Sequence, residues 1–222
     1  TRDSADISLV VFPHVRYDYV FSDNFQRAFI GVRGGLDENS YWTLSKKNPF
    51  ILNALTTDGG SLELINSQIK YDFYVGMNSY LGSDVNWSSE LSYARVQDMS
   101  FFELDPHSLY QNKFKVVYDN VNHLQWSSTL DWDVNPNANV NLQLNYHKYD
   151  LDSLQEYAYK PAIISKLGFS YDIGDKILPQ IELVGAFDRS TASDSSSATP
   201  ILNDIVDVNL ALEYKYNTIF SA

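Results

Sequence analysis

The sequence predicts an all-β protein: an antiparallel transmembrane β-barrel of the outer-membrane kind, or the C-terminal part of a larger one. Three observations carry this expectation. Apolar and polar residues alternate with a period of two over stretches of about nine residues, which suits a tilted strand crossing a bilayer. Short turns and long polar loops follow one another in strict succession. Tyrosine and tryptophan gather beside the short turns.

The stretch NVNLQLNYHK (139–148) shows the alternation best. Val140, Leu142, Leu144 and Tyr146 form one set, and Asn139, Asn141, Gln143, Asn145 and His147 the other. Successive side chains of a strand point to opposite faces, so this strand has an apolar face and a wet one. Along the chain the apolar sets are Leu9 to Tyr17 through Val15; Ala28, Ile30 and Val32; Ile69, Tyr71, Phe73, Val75 and Met77; then Val85, Trp87, Leu91 and Tyr93. Phe114, Val116 and Tyr118 follow, then Leu124, Trp126, Leu130 and Trp132. Ile163, Leu167, Phe169 and Tyr171 come next. Ile177 to Phe187 through Leu183, and Val206 to Tyr216 through Leu210, complete them. The intervening positions hold charges of both signs at mid-strand: Arg16, Asp18, Arg27, Arg33, Lys70, Asp72, Glu90, Asp131, Lys166, Glu182, Glu213 and Lys215. About nine strands are expected, with a tenth opening at Ile219 and Phe220. Single-chain bacterial barrels have even strand numbers and no edge facing lipid. Residues 1–222 therefore read as one β-barrel region cut at both ends, with a closed ten-stranded barrel as the alternative.

Short turns are marked by Gly, Asn, Asp and Pro near residues 21–25, 81–84, 134–138, 172–176 and 216–218. Long loops are expected at about 37–66, 97–112, 149–160 and 189–204, the last nearly of low complexity. The short connections then share one rim, the periplasmic one, and the long loops the other, outer rim. Tyr17, Tyr19, Phe21, Phe25, Tyr80, Trp87, Trp132, Tyr171, Tyr216 and Phe220 flank the short turns, as an interfacial girdle would.

Composition narrows the classes. The 222 residues carry a net charge of −12, which argues against nucleic acid as a partner. No apolar run is long enough for a transmembrane helix, and a barrel strand escapes that test. Without cysteine there is no disulfide framework or thiolate metal site. No leader is visible, so Thr1 reads as a mature or truncated start. A soluble antiparallel barrel or sandwich with the apolar faces inside explains the alternation equally well. It accounts less well for one-sided turns, one-sided aromatics and strands longer than the usual five to six residues.

The charged set Arg16, Asp18, Arg33, Lys70, Asp72, Glu90, Asp131, Lys166, Glu182 and Glu213, with His123 and His147, is expected to face the lumen, as is His14. Mixed signs favour ion pairing over an open selective pore. Val15, Phe73, Trp87, Trp126, Leu142, Leu144, Phe169, Leu183 and Leu210 are expected to face lipid. The loop aromatics Tyr41, Trp42, Phe50, Phe101, Phe102, Tyr110 and Tyr157 are candidates for ligand or partner contact. His123 has Asp119 on its face but no serine motif, so no enzyme activity is assigned. The segments 150–153 and 193–198 lack the glycine and terminal glutamate of a calcium loop, and no metal or other cofactor is expected.

The segment NLALEYKYNTIFSA resembles the penultimate stretch of TonB-dependent receptors and related outer-membrane barrels of the Bacteroidetes type. SKKNPFI (45–51), FKVVYDNV (114–121) and EYAYKPA (156–162) are similar to loop and strand pieces of the same family. The resemblance implies a Gram-negative outer membrane, with lipopolysaccharide and lipid around the barrel. It further implies uptake or binding of an extracellular ligand and a TonB-type energy transducer as partner. The plug domain and TonB box of such transporters are not in this sequence. A non-transporting barrel subunit of an outer-membrane complex is the alternative.

Overall fold

The computed structural model describes residues 10–22, 26–51, 64–105, 113–154, 160–190 and 201–216. In chain order the elements are β1 (His14–Ser22), β2 (Gln26–Asp37), α1 (Tyr41–Lys47), β3 (Ser67–Leu81), β4 (Val85–Leu104), β5 (Phe114–Asn135) and β6 (Ala138–Leu151). They continue with β7 (Ile163–Tyr171), β8 (Ile177–Phe187), β9 (Arg189–Ser190), β10 (Ile201–Leu202) and β11 (Ile205–Tyr214). Nine strands form one sheet in the order β1-β2-β3-β4-β5-β6-β7-β8-β11, every neighbour pair antiparallel. Among the described residues the sheet does not close: β1 and β11 each have one unpaired edge. The ribbon β9–β10 lies within the connection from β8 to β11.

The sequence treats 114–118 and 124–132 as separate apolar sets; they belong to one strand, β5. Residues 97–104 are strand, not loop, because β4 continues to Leu104 and pairs β5 as far as Glu103↔Lys115 and Leu104↔Phe114. The connections still alternate. Residues 82–84, 136–137 and 172–176 join strands tightly, whereas 38–66, 105–113, 152–162 and 188–204 are long. The expected tenth strand at Ile219 and Phe220 lies outside the described residues, as do Leu9, Phe25, Tyr110 and Tyr157.

The two faces of the sheet differ in the sense that decides how it sits. On the apolar face Val15 is 63% exposed, Phe73 56% and Leu210 74%. Trp126, Phe169 and Leu183 are also exposed, and Trp87, Leu142 and Leu144 partly so. On the polar face Phe29, Asp72, Tyr74, Ser92 and Ala94 are buried. No second layer covers that face over the sheet's middle among the described residues. The strands' own side chains cover it.

Register turns the apolar face into rows. Trp87, Leu130, Leu142, Leu167, Leu183 and Val208 stand opposite one another across six strands. Cross-strand apolar pairs of this kind stabilise a sheet by a few tenths to 1 kcal/mol each. The turn-side aromatics Tyr17, Tyr19, Phe21, Tyr80, Trp132, Tyr171 and Tyr216 are all exposed.

Register shifts fall in β1 at Val20/Ser22, in β5 at Asp133/Asn135, and in β3 and β4, where they bear on the site. In β3 the register shifts between Ile69 and Tyr71, and Lys70 is the extra residue. In β4 it shifts between Val96 and Met99, where Asp98 adopts a left-handed φ of 55°. The β4 bulge is pinned on both sides. The Asp98 amide donates to Asn120 Oδ1 at 3.2 Å, and Ser67 Oγ donates to the Asp98 carbonyl at 2.7 Å. Beyond Gln97 strand β4 pairs, among the described residues, with β5 alone, so the pair projects past the described end of β3.

Helix α1 leans on that projection. Seven residues cannot hold a helix alone. Ser40 and Thr43 form a capping box: Ser40 Oγ accepts from the Thr43 amide at 3.2 Å, and Thr43 Oγ1 from the Ser40 amide at 2.9 Å. Leu44 then packs fully buried with Ile51 and Phe102, against Phe114 and Val116.

Candidate functional site

The polar face carries a ladder of ion pairs. Arg16 binds Asp18 at 3.0 Å, with Arg27 at 3.7 Å from the same carboxylate. Arg33 bridges two strands, reaching Asp72 at 2.7 Å and Glu90 at 2.8 Å. Lys115–Glu103, at 2.8 Å, lies nearer the long loops, while Arg95 pairs with Asp152 on the opposite parity, beside Tyr71 and Tyr93. Asp131 accepts from the Asn141 amide, and Glu182 from Asn209 at 3.2 Å. Lys166 and Glu213 make no ion pair among the described residues.

Beneath the cations sits an aromatic layer that alternation alone does not announce. In register, Phe29 faces Gly76 and Tyr74 faces Gly31. Each ring lies over the other strand's glycine, the two rings 6.1 Å apart. The Arg16 guanidinium sits 4.2 Å above the Phe29 ring and that of Arg33 4.5 Å above Tyr74. Each such contact contributes about 0.5–1 kcal/mol where solvent reaches it.

Arg33 is the keystone of the ladder, because without it two carboxylates share a face. Arg33→Met is expected to destabilise the folded protein by about 1–3 kcal/mol, less than a fully buried pair because its side chain keeps 43% exposure. Adding Asp72→Asn should return part of the loss. Denaturant midpoints of the three proteins in detergent check this.

Towards the long loops the same face opens into a cavity of about 620 Å³. Arg33, Asp72, Ser92, His123 and Gln125 form its floor, and Val96, Met99 and Phe102 an apolar side. Lys47 and Asn48, at the end of α1, close over it, and Lys160 enters from the segment before β7. The imidazoles of His123 and His147 stack at 5.3 Å with a 3.1 Å contact between Nε2 and Nδ1. Tyr149 stacks on His123 at 4.5 Å. A second hollow, about 560 Å³, lies near the short turns around Val20, Arg27 and Tyr80.

Several expected positions move. Lys70 does not line the cavity: as the bulged residue of β3 it is exposed and donates to Gln68 Oε1 at 2.7 Å. For the same reason Ile69, expected on the apolar face, lines the cavity beside Asp72. Phe101 and Phe102 are not exposed loop aromatics; both are buried in the projecting end of β4. Tyr41 and Trp42 are exposed but helical, and Phe50 is exposed just after α1. Tyr157 and His107 lie outside the described residues. Asp119 does not orient His123. Burial acts to raise its pKa, but amide donors from Leu154, Ser153 and Asn120 outweigh that and hold it below the usual carboxylate range. Among the described residues no three His, Cys, Asp or Glu side chains cluster as a metal site would need. Lys160 escapes sequence reasoning altogether, because no periodicity marks a residue in coil.

No protein-family model matches the sequence, and no curated protein matches it. Solved structures do. The copper transporter OprC superposes with a TM-score of 0.59 at 12% identity, over 93% of this chain and 32% of that one. The fold is that of an outer-membrane barrel wall. The pyoverdine outer-membrane receptor FpvA from Pseudomonas aeruginosa PAO1 gives 0.60 at 13% identity, over 93% of this chain and 30% of that one. The ferric-catecholate import receptor Fiu from E. coli K12 gives 0.59 at 12%, over 91% and 28%. The chain thus spans about three-tenths of the length of these proteins. These neighbours are transporters and receptors rather than enzymes.

Proposed function

We propose that the chain forms part of the barrel wall of a TonB-dependent receptor of the Bacteroidetes type, in a Gram-negative outer membrane, which takes up or binds an extracellular ligand. The observation that carries this reading is the inverted sheet: Leu210, Val15 and Phe73 exposed on one face, Asp72 and Ser92 buried on the other. In water that arrangement leaves a long apolar surface bare. Against acyl chains it is the stable one, with the ion-paired face lining the lumen. The short turns then lie on the periplasmic side and the long connections outside, where lipopolysaccharide surrounds them. The unpaired edges of β1 and β11 support further strands on either flank, since an open edge in lipid leaves backbone groups unsatisfied. A TonB-type transducer is the partner this reading supplies. Fractionation of cells making the full-length protein tests it. The protein should sediment with outer membranes, need detergent for extraction, and migrate differently on gels before and after boiling. Recovery in the soluble fraction without detergent would overturn the reading.

A further inference from the structure

We propose that the cavity beside Lys160 binds an organic carboxylate, the anionic group against the Lys160 ammonium and the apolar body against Val96, Met99 and Phe102. The inference deepens the receptor reading and rests on it in taking this cavity to open on the lumen.

The lysine is set as a cation awaiting an anion. Its Nζ donates to the Ser100 carbonyl at 3.2 Å and stands 4.1 Å from the Phe101 ring centre and 5.2 Å from that of Tyr149. Among the described residues no carboxylate comes within ion-pairing distance of it. Two faint aromatic attractions and one carbonyl do not replace the water an ammonium loses on burial. Burial therefore lowers the Lys160 pKa to about 7, with the charge of Lys47 acting in the same direction. An incoming carboxylate would restore the charged form.

The other charges facing the cavity leave that role open. Asp72 and Glu90 are taken by Arg33. His123 and His147 face one another and lie on the same side as Lys160. Asp37 is the remaining carboxylate of the lining, while Lys47 adds a second positive charge. Donors that would fix a carboxylate's orientation are at hand in Asn48, Ser92 and Gln125. A volume of about 620 Å³ suits a small organic molecule, and the apolar wall gives a bare inorganic anion nothing to bury.

The test uses the full-length protein in detergent with benzoate as the probe, titrated calorimetrically. Binding is expected at about pH 6 and should weaken about tenfold or more by about pH 8.5, as Lys160 loses its proton. Lys160→Met should cost at least about tenfold at the lower pH, and Lys160→Arg should keep binding while flattening the pH profile. Lys166→Met, outside the cavity lining, should change nothing. Wild-type affinity in Lys160→Met, or a flat profile in the unaltered protein, would overturn the proposal. So would inorganic phosphate displacing benzoate at equal concentration, since the site would then recognise charge alone. Outer-membrane location is read separately by fractionation, so a membrane protein that ignores benzoate sinks only this inference.

Discussion

Replacing Leu142 by arginine is expected to destabilise the membrane-inserted protein by about 2–4 kcal/mol. Leu142 stands at mid-strand in β6, between Leu130 of β5 and Leu167 of β7 on the apolar face. Four residues separate it from the tight turn at 136–137. With the rise of a tilted strand, that places it about midway up an apolar band roughly 25 Å tall. A guanidinium there must reach the headgroups past its leucine neighbours or drag water inward. Gln143→Arg, one position along, points to the polar face beside Lys166 and Thr129 and should cost much less. The comparison is an equilibrium urea titration of the full-length variants in lipid vesicles. Equal losses for the two would contradict the assignment of faces. A soluble, well-folded Leu142→Arg protein would contradict the membrane reading itself.

Putting a side chain on Gly76 is the second large effect expected. A Cβ at that position would lie 2.3 Å from Phe29 Cζ and 2.6 Å from the Ser89 carbonyl oxygen. Gly31 is equally tight, 2.4 Å from the Tyr74 hydroxyl oxygen and 2.5 Å from the Val15 carbonyl oxygen. Rings tip away only by losing their cation partners Arg16 and Arg33, and the backbone oxygens cannot tip at all. Overpacking of this kind costs about 1–3 kcal/mol, and valine should exceed alanine. Gly35→Ala is the control. Nothing lies within 4 Å of its Cβ, so that change should be neutral or stabilise by up to about 1 kcal/mol through the unfolded chain. Denaturation midpoints in the same vesicles would show the contrast. Tolerance of valine at Gly76 would mean that Phe29 does not lie over it.

Most of the sheet is legible in the sequence because strand parity is a local property. Phe73, Leu142, Phe169 and Leu210 fall on the exposed face where alternation puts them. Parity fails where a bulge inserts a residue. Lys70 and Ile69 exchange roles for that reason, and Phe101 and Phe102 read as loop because the alternation is interrupted at Gln97 and Asp98. The paired rings were within reach: Phe29 with Gly31, and Tyr74 with Gly76, each put an aromatic and a glycine two apart on the charged parity. The β2–β3 register then lays each ring over the other strand's glycine. The cavity was not within reach. His123 and His147 meet only through the β5–β6 register, and Lys160 arrives from coil fixed by tertiary contacts.

The running order of the sheet bears on how it is made. Each long strand borders only those before and after it in the chain, from β1 through β8 to β11. No ribbon has to be threaded between two that are already joined. Assembly can advance hairpin by hairpin from whichever flank starts first, each new arrival templated by the last. Backbone groups still bare at any moment are confined to two edges, the one that started and the one that advances.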